Sequence, residues 1–378
     1  MENNRFFPEI HGNFGFGCMR LPLIGEEVDR EHFTRMVDTF LDAGFNYFDT
    51  AHGYLGGRSE TALRACLTSR HPRSSFILTN KLTGNYFEKE EDIRPLFQQQ
   101  LDACGVEYFD FYLMHAQGRR NYGHFKECRA YETAFALKKE GKVRHVGISF
   151  HDSPEMLEQI LTDYPEIEIV QIQFNYLDFE NPAVQSRAVY EVLARHQKPV
   201  LVMEPVKGGT LVELPKRAQS VFDELGESSN ASYAIRFAAG FPQICVVLSG
   251  MSNMEQLLDN TSFMREFRPL DEREQKAVER VREIFLEENR IPCTGCRYCV
   301  DGCPMQIRIP DLFHVMNLKK AYRNWGQEGR YAELIREGSG KASDCIRCGQ
   351  CESICPQQLP IRELLVDVAK AFEHEEED

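Results

Sequence analysis

The sequence predicts a (β/α)8 barrel followed by a smaller, mostly helical domain that is rich in cysteine. Two observations carry this prediction. Between residues 14 and 266, eight short β-rich apolar runs alternate with amphipathic helical stretches, which is the pattern of a parallel sheet built from strand-helix units. After residue 292 this pattern ends, and eight of the 13 cysteines follow at regular spacing. Eight strand-helix units in about 250 residues fit a closed barrel better than an open doubly wound sheet.

Each predicted strand is a short apolar run bounded by polar or turn-forming residues. The eight runs are Phe14–Met19, Asn46–Asp49, Phe76–Thr79, Phe109–Met114, Val143–Ser149, Ile167–Gln173, Pro199–Met203 and Ile244–Leu248. The stretches between them have helical spacing; for example, Ser153 and Pro154 suit the start of a helix whose apolar residues then recur on one face. We therefore place the barrel in residues 1–270.

A further helix connects the two compositional zones. Asp271 can cap it, with Glu274 three residues later, and its apolar residues fall on one face. These residues are Ala277, Val278, Val281, Ile284 and Phe285. We assign residues 271–289 to this connecting helix and residues 290–378 to the cysteine-rich domain.

Composition and charge exclude several classes of function. The formal net charge of −14 disfavours nucleic acid as a partner, because nucleic acids are bound mainly through clustered Lys and Arg. No apolar run is long enough to span a bilayer, so we expect no membrane association. The first residues lack the apolar stretch of a secretory signal, and we expect a cytoplasmic protein.

One cysteine motif occurs twice in the C-terminal zone. Cys293, Cys296, Cys299 and Cys303 precede Pro304 with spacings of two, two and three residues, and the same pattern returns with Cys345, Cys348, Cys351, Cys355 and Pro356. Three thiolates at this spacing suit three irons of a 4Fe-4S cluster, and the fourth cysteine, followed by proline, suits the neighbouring cluster. Two structural zinc sites are the alternative, since paired cysteines also bind zinc, but zinc leaves the unbroken triplets unexplained.

This spacing predicts two 4Fe-4S clusters whose ligands exchange between the motifs. The first cluster takes Cys293, Cys296, Cys299 and Cys355; the second takes Cys345, Cys348, Cys351 and Cys303. The domain resembles dicluster ferredoxins, although the segment between the motifs is longer than in compact bacterial ferredoxins and has helical periodicity. It is more similar to the helical dicluster fold of fumarate reductase iron-sulfur subunits.

Four titratable residues follow successive predicted strands of the barrel, where reactive groups of such barrels lie. Asp49 ends the second strand, Tyr54 comes five residues later, Lys81 closes the third strand, and His115 closes the fourth. A tyrosine is a weak acid at neutral pH unless a cation stabilises its phenolate, and Lys81 can supply that cation. Asp49 would hold Lys81, and His115 would hydrogen-bond at a carbonyl oxygen or relay the proton.

Each of these residues also has an ordinary structural explanation. Asp49 suits a helix cap, Lys81 a surface charge, and His115 a buried histidine with satisfied hydrogen bonds. Together, however, four titratable groups at three successive strand ends favour a catalytic site.

The segment Phe48-Asp49-Thr50-Ala51-His52-Gly53-Tyr54, followed by Glu60, resembles the motif of aldo-keto reductases around their catalytic Asp and Tyr. The resemblance implies that Asp49, Tyr54, Lys81 and His115 form the catalytic tetrad, with Tyr54 as the general acid. It covers residues 10 to 270 and implies hydride transfer between a nicotinamide cofactor and a carbonyl. Two positions depart from the family, since Phe150 replaces an Asn and Met203 replaces an aromatic residue.

The resemblance also implies a nicotinamide site with NADP or NAD. The implied cofactor-binding residues are Ser149, Gln171, Met203, Pro205, Lys207, Gly209, Gly250, Ser252, Gln256 and Asn260. Residues 250–260 contain neither Arg nor Lys, whereas a 2′-phosphate needs cationic donors, so NAD is as open as NADP. Lys207 could compensate from the pyrophosphate loop.

Two functions follow from these features. The first is an oxidoreductase of the aldo-keto reductase type that reduces a carbonyl, or oxidises an alcohol, and is coupled to or regulated by two clusters. Since hydride carries two electrons and clusters pass them singly, direct coupling would need a flavin or another device that splits the pair, and an external electron carrier, a ferredoxin or a flavoprotein, is a possible partner. The second is a cluster-bearing electron-transfer or redox-sensing protein whose barrel no longer reduces carbonyls. The physiological substrate and the oligomeric state cannot be read from the sequence.

Overall fold

The computed structural model describes residues 4–181, 184–226, 228–287, 290–322, 326–336 and 338–373. Its main sheet is a closed barrel of eight parallel strands. The barrel strands are β1 (Phe14–Gly17), β4 (Tyr47–Asp49), β5 (Ile77–Leu82), β6 (Phe109–Gln117), β7 (Val143–Phe150), β8 (Ile169–Gln173), β9 (Val200–Met203) and β10 (Ile244–Ser249). Around the barrel they follow the order β1, β10, β9, β8, β7, β6, β5 and β4. A small hairpin, β2 (Leu23–Ile24) and β3 (Glu27–Val28), precedes the first helix. All eight predicted strands, and the (β/α)8 fold class, are confirmed.

Helices follow the barrel strands in the order that a parallel barrel requires. They are α1 (Arg30–Asp42), α2 (Arg58–Leu63), α3 (Glu90–Cys104), α4 (Tyr122–Glu127), α5 (Ala130–Lys139), α6 (Pro154–Asp163), α7 (Ser186–Arg195), α9 (Asn230–Ala239) and α10 (Met254–Arg265). Ser153 and Pro154 do start α6, and its apolar residues Met156, Leu157, Ile160 and Leu161 are all buried. Among the described residues, no helix is both long and apolar enough to cross a membrane.

Apolar side chains from several strands fill the barrel interior. Tyr47, Phe111, Leu201 and Val246 belong to one buried cluster, and Phe7 from the N-terminal segment packs edge-on against Phe111 at 5.0 Å between ring centres. The filled interior leaves the carboxyl ends of the strands as the place where polar side chains can meet.

The chain divides into two compact units, and the second contains more than the C-terminal domain. It includes Val206–Asn230, a segment that the sequence alone places in the barrel, together with everything after Asp271. Its helices are α8 (Lys216–Asp223), α11 (Glu272–Glu287), α12 (Tyr298–Asp301), α13 (Ile309–Tyr322), α14 (Gly326–Arg336), α15 (Gln350–Ile354) and α16 (Ile361–Phe372). We call this the cysteine-rich unit.

The connecting helix belongs to this unit as α11. Its five predicted apolar residues are all buried, and it packs on α8. An ion pair of 2.7 Å between Arg217 and Glu287 joins the two helices. The predicted end of the helix at residues 288 and 289 lies outside the described residues.

The two cysteine motifs fold as structural copies of each other. Left-handed backbone occurs at matching positions, with φ of 65° and 57° at Gly295 and Arg347, and φ of 52° and 50° at Gln306 and Gln358. A short helix follows the second cysteine of each motif, and a long helix, α13 or α16, begins at the same distance after each final Cys-Pro. The sequence repeat is therefore also a repeat in conformation.

Candidate functional site

The predicted catalytic residues lie at the carboxyl ends of adjacent strands. β4 ends at Asp49, β5 carries Lys81 at its penultimate position, and β6 carries His115 near its end. Tyr54 begins the turn that follows β4. The parallel register of these three strands brings the side chains to one end of the barrel.

Asp49 and Lys81 form a buried ion pair at the centre of this site. The Lys81 Nζ donates to Asp49 Oδ1 at 2.6 Å, to the Thr50 carbonyl at 2.8 Å and to the Tyr54 hydroxyl at 3.4 Å. Lys81 is 0% exposed and Asp49 is 3% exposed. Burial raises the pKa of the Asp49 carboxyl, and the Lys81 ammonium and a hydrogen bond from Gln171 oppose that rise. The ammonium therefore lies between the carboxylate and the phenol.

Burial dominates the electrostatics of the Tyr54 phenol. It raises the pKa of Tyr54 well above its ordinary value, and the predicted stabilisation of the phenolate by Lys81 stays a prediction. The Asp49 carboxylate adds to the rise, and Arg20 partly offsets it. Tyr54 therefore keeps its proton in the resting site, as a general acid must before it acts.

A left-handed turn places Tyr54 at the barrel end. The residue after Tyr54, Leu55, has φ of 54°, and Gly56 and Gly57 follow with φ of 63° and 84°. Glycine adopts these angles without the steric cost that a side chain imposes. Glu60, which is 1% exposed, braces the segment by hydrogen bonds to His52 at 2.9 Å and Asn80 at 2.8 Å.

His115 is held beside Tyr54 as a neutral group. Its Nδ1 lies 2.7 Å from the Thr83 hydroxyl, and its ring centre is 6.1 Å from that of Tyr54. Burial lowers the pKa of His115 well below its ordinary value, and the Lys81 and His151 charges lower it further. Thr83 was not predicted, although its position directly after the strand was an available signal.

The predicted nicotinamide residues lie on adjoining strands. Ser149 on β7 is directly opposite Gln171 on β8, and Gln173 on β8 is opposite Met203 on β9. Gln171 already donates to Asp49 Oδ2 at 3.2 Å, and Ser149 accepts from the Ala116 backbone N–H at 2.7 Å. Gln173 was not predicted, yet its buried Nε2 has no hydrogen-bond partner among the described residues.

The predicted adenosine residues cluster at the start of α10. Gln256 Oε1 accepts from the Ser252 backbone N–H at 2.8 Å, and Asn260 donates to Ser249 at 3.1 Å. The buried Oδ1 of Asn260 lacks a partner among the described residues.

A cation that the sequence reading missed lies beside this cluster. Arg20 accepts at its carbonyl from the Ser252 hydroxyl at 2.9 Å, and a β-carbon at Gly250 would lie 3.6 Å from the Cβ of Arg20. Its position just after β1 was the available signal, because barrel sites use strand ends.

The predicted pyrophosphate loop is divided between the two units. Pro205 belongs to the barrel, whereas Lys207 and Gly209 belong to the cysteine-rich unit. Lys207 is 0% exposed, and its Nζ donates to Gln357 Oε1 at 2.6 Å. This pairing favours a role for Lys207 within the cysteine-rich unit over the predicted phosphate contact.

The eight motif cysteines line two cavities. Three cysteines of the first motif and the last of the second surround one cavity, and the converse set surrounds the other. We call the first cavity, lined by Cys293, Cys296, Cys299 and Cys355, site I. We call the second, lined by Cys345, Cys348, Cys351 and Cys303, site II. The five remaining cysteines of the chain are all buried, as small apolar residues are.

The lining of these sites suits a cluster. Each cavity is lined by four cysteines, which is the number of thiolates that a 4Fe-4S cluster takes. Among the described residues, no three His, Cys, Asp or Glu side chains are arranged to hold a metal ion.

Two family comparisons agree with this geometry. The sequence model of the aldo/keto reductase family matches residues 13–283, which is well over half of the chain. The model of the 4Fe-4S dicluster domain matches residues 292–359. The chain therefore belongs to the aldo/keto reductase family and carries a 4Fe-4S dicluster domain, as both resemblances implied.

Individual relatives are distant. An uncharacterized oxidoreductase of Bacillus subtilis (strain 168), YqkF, is 25% identical over 70% of this chain and 90% of its own length. An NADH-specific methylglyoxal reductase of Escherichia coli (strain K12) is 28% identical over 38% of this chain and 48% of its own length.

Solved structures share the barrel fold. An aldo-keto reductase from Bacillus halodurans in its holo form covers 74% of this chain and 96% of its own, with a TM-score of 0.62 and 23% identity. An aldo-keto reductase from Klebsiella pneumoniae in complex with NADPH covers 74% and 95%, with a TM-score of 0.61 and 17% identity. Both matches leave about a quarter of the chain uncovered.

Proposed function

We propose that this protein reduces a small carbonyl compound to an alcohol, or catalyses the reverse oxidation, with a nicotinamide cofactor and Tyr54 as the general acid. The observation that carries the proposal is the position of Lys81 Nζ, 2.6 Å from the Asp49 carboxylate and 3.4 Å from the Tyr54 hydroxyl. A nicotinamide cofactor supplies the hydride when it is bound.

The protein's own residues manage the proton. The Tyr54 hydroxyl donates its proton to the substrate oxygen as negative charge develops there, which yields the alcohol. The phenolate left behind lies beside the Lys81 ammonium, which stabilises it, and Asp49 keeps that ammonium in place. His115, held neutral by burial, is suited to hydrogen-bond the same oxygen rather than to carry a charge.

The residues around the barrel end fit a nicotinamide dinucleotide. The buried Gln173 Nε2 and Asn260 Oδ1 have no partners among the described residues, and a carboxamide and an adenine amine are groups that satisfy a donor and an acceptor. Ser149, Gln171 and Met203 would hold the nicotinamide end, and Gly250, Ser252, Gln256 and Asn260 the adenosine end. NADP and NAD both stay open, because Arg20 contacts Ser252 through its backbone carbonyl, whereas a 2′-phosphate needs a cationic donor.

Sites I and II would each hold one 4Fe-4S cluster, by the exchanged set of cysteines that lines each cavity. Such clusters carry single electrons when bound. Because the barrel chemistry moves two electrons at once, an external flavoprotein would split the pair, and a ferredoxin would exchange single electrons with the clusters.

A second function is favoured by Phe150. This buried apolar residue ends β7 where the family places a polar one, which weakens the expected nicotinamide contact. Under this alternative the barrel would not reduce carbonyls, and the protein would transfer electrons or sense redox state through its clusters.

One experiment separates the two functions. Under anaerobic conditions, NADH and NADPH are titrated into the protein, and carbonyl compounds are then screened with the wild-type protein and Tyr54→Phe. We expect kcat/KM to fall by a factor of about 10² to 10⁴ in Tyr54→Phe, with cofactor affinity retained. Tyr108→Phe is the matched control, because it removes a hydroxyl that lies just before β6, at the opposite end of that strand. Equal activity in the wild-type protein and Tyr54→Phe would refute the mechanism.

A further inference from the structure

A short segment after β9 contacts residues that line site I. Lys207, Gly208 and Gly209 belong to the cysteine-rich unit, where Gly208 has φ of 63° and packs on the carbonyl of Thr294. A β-carbon at Gly208 would lie 2.1 Å from that carbonyl oxygen, so only glycine fits. Thr294 follows Cys293, and the Gln357 partner of Lys207 follows Cys355 and Pro356. The segment therefore contacts residues next to the first and last cysteines of site I.

The hydrogen bond between Lys207 and Gln357 fixes the orientation of the Gln357 amide. An ammonium group only donates, so the amide oxygen must face Lys207 and the amide nitrogen must face away. That nitrogen is buried and has no hydrogen-bond partner among the described residues. Gln357 itself lines site I. A buried amide donor without a partner is destabilising, and a sulfur acceptor in the cavity would offset that cost.

Site II lacks this donor at the equivalent position. The counterpart of Gln357 in the first motif is Met305, which follows Cys303 and Pro304 and lines site II. The backbone around the two residues is the same, as the matching φ of Gln306 and Gln358 shows. Methionine carries no hydrogen-bond donor on its side chain. The two sites therefore differ in hydrogen-bonding capacity at this position, as they also do at Thr294 and Tyr298 of site I, whose counterparts in site II are Ile346 and Gln350.

We propose that Gln357, oriented by Lys207, donates its amide N–H to a sulfur of the cluster in site I and gives that cluster a higher reduction potential than the cluster in site II. This inference rests on the proposed binding of two clusters. Reduction adds one electron to a cluster, and hydrogen bonds to its sulfurs stabilise the added negative charge. The buried Lys207 ammonium acts in the same direction. An electron donated to the protein would then come to rest in site I.

The test measures reduction potentials rather than activity. The full-length protein is reconstituted anaerobically with iron and sulfide and titrated with dithionite, and the cluster signals are followed by EPR. Cys296→Ser and Cys348→Ser assign the signals to sites I and II. Gln357→Met gives site I the residue that site II has at this position, and we expect it to lower the reduction potential of the site I cluster. At a fixed potential the ratio of oxidised to reduced cluster should rise about tenfold, which is equivalent to about 59 mV. The site II potential should not change.

Two further variants and one spectroscopic measurement complete the test. Lys207→Met should lower the site I potential in the same direction, and Met305→Gln should raise the site II potential. Pulsed EPR in D₂O should detect an exchangeable deuteron coupled to the site I cluster in the wild-type protein and not in Gln357→Met. If Gln357→Met does not take up iron, absence of that deuteron in the wild-type protein refutes the inference.

Failure of this inference can be distinguished from failure of the proposed cluster binding. Two clusters with unchanged potentials in Gln357→Met would overturn the role of Gln357 and leave the proposed function intact. A wild-type protein that binds no iron and sulfide would instead overturn the cluster sites themselves, and with them the inference.

Discussion

The charged groups of the barrel site satisfy one another, whereas the polar groups around the cysteine sites face space that the chain leaves open. In the barrel, the Lys81 ammonium donates to Asp49, Thr50 and Tyr54. In the cysteine-rich unit, eight thiols line two cavities, and the Gln357 amide nitrogen lacks a partner among the described residues. The difference indicates that the charged centre of the barrel site is organised by the chain alone, and we expect the cysteine-rich unit to depend on the groups that it binds.

Removing the clusters should have the largest effect, because it tests whether the cysteine-rich unit depends on them and the barrel does not. Binding at structural metal sites contributes on the order of 10 kcal/mol, and that free energy is part of folding. We expect oxidation of the clusters and chelation of the iron to expose α13 and α16 to hydrogen exchange while the barrel strands stay protected. Hydrogen-deuterium exchange with mass spectrometry measures both regions in one sample. Equal protection of the two helices before and after iron removal would contradict the dependence.

Lys81→Met tests whether the buried ion pair of the barrel site stabilises the fold without a bound ligand. The variant leaves the Asp49 carboxylate buried without its cation, which costs about 3 to 5 kcal/mol in buried ion pairs. We expect that loss in the free energy of unfolding of the barrel, measured by urea denaturation. The double variant Asp49→Asn/Lys81→Met is the matched control and should recover part of the loss, because no charge remains buried. A loss below about 1 kcal/mol in Lys81→Met would show that the pair is not preorganised by burial.

A pH-dependent contribution to barrel stability is expected from His145. Burial alone would lower its pKa, but hydrogen bonds with Glu168 at 2.8 Å and Glu9 at 2.9 Å outweigh burial and raise it. A raised pKa in the folded state stabilises the protein fully below the ordinary value of 6.5, and the contribution disappears as the pH rises through the raised pKa. The pKa of Glu168 is lowered to about 2, so this partner remains charged throughout that range.

The measurement for His145 is the difference in unfolding free energy between the wild-type protein and His145→Gln at several pH values. We expect the difference to be largest near pH 6 and to shrink above neutral pH. A difference that grows with pH would have the wrong sign and would exclude the proposed linkage.

The smallest effect is expected at an exposed ion pair of similar geometry. Arg70 donates to both carboxylate oxygens of Asp38, at 2.8 and 2.9 Å, but both side chains are more than a third exposed. Solvent screens such pairs, so Arg70→Met should change the free energy of unfolding by less than about 1 kcal/mol. Set beside Lys81→Met in the same denaturation series, this variant isolates burial as the cause. Comparable losses in the two variants would show that burial is not what distinguishes them.

Several features could be read from the sequence because local patterns specify them. The eight strands were found by apolar periodicity, and Asp49, Lys81 and His115 were found because strand ends meet at one end of a parallel barrel. The fixed spacing of the cysteines also predicted the sets of four that line sites I and II. Their role as cluster ligands stays a prediction.

Other features were decided only by tertiary structure. The sequence reading assigned Lys207 to a pyrophosphate loop, but its partner Gln357 is 150 residues away, and no local pattern joins the two. The same holds for Arg20, which lies beside Ser252, and for Tyr54, whose pKa is raised by burial. Spacing along the chain determines which element a residue occupies. Packing between distant segments determines what that residue contacts and how strongly it is desolvated, and these two quantities set its chemistry.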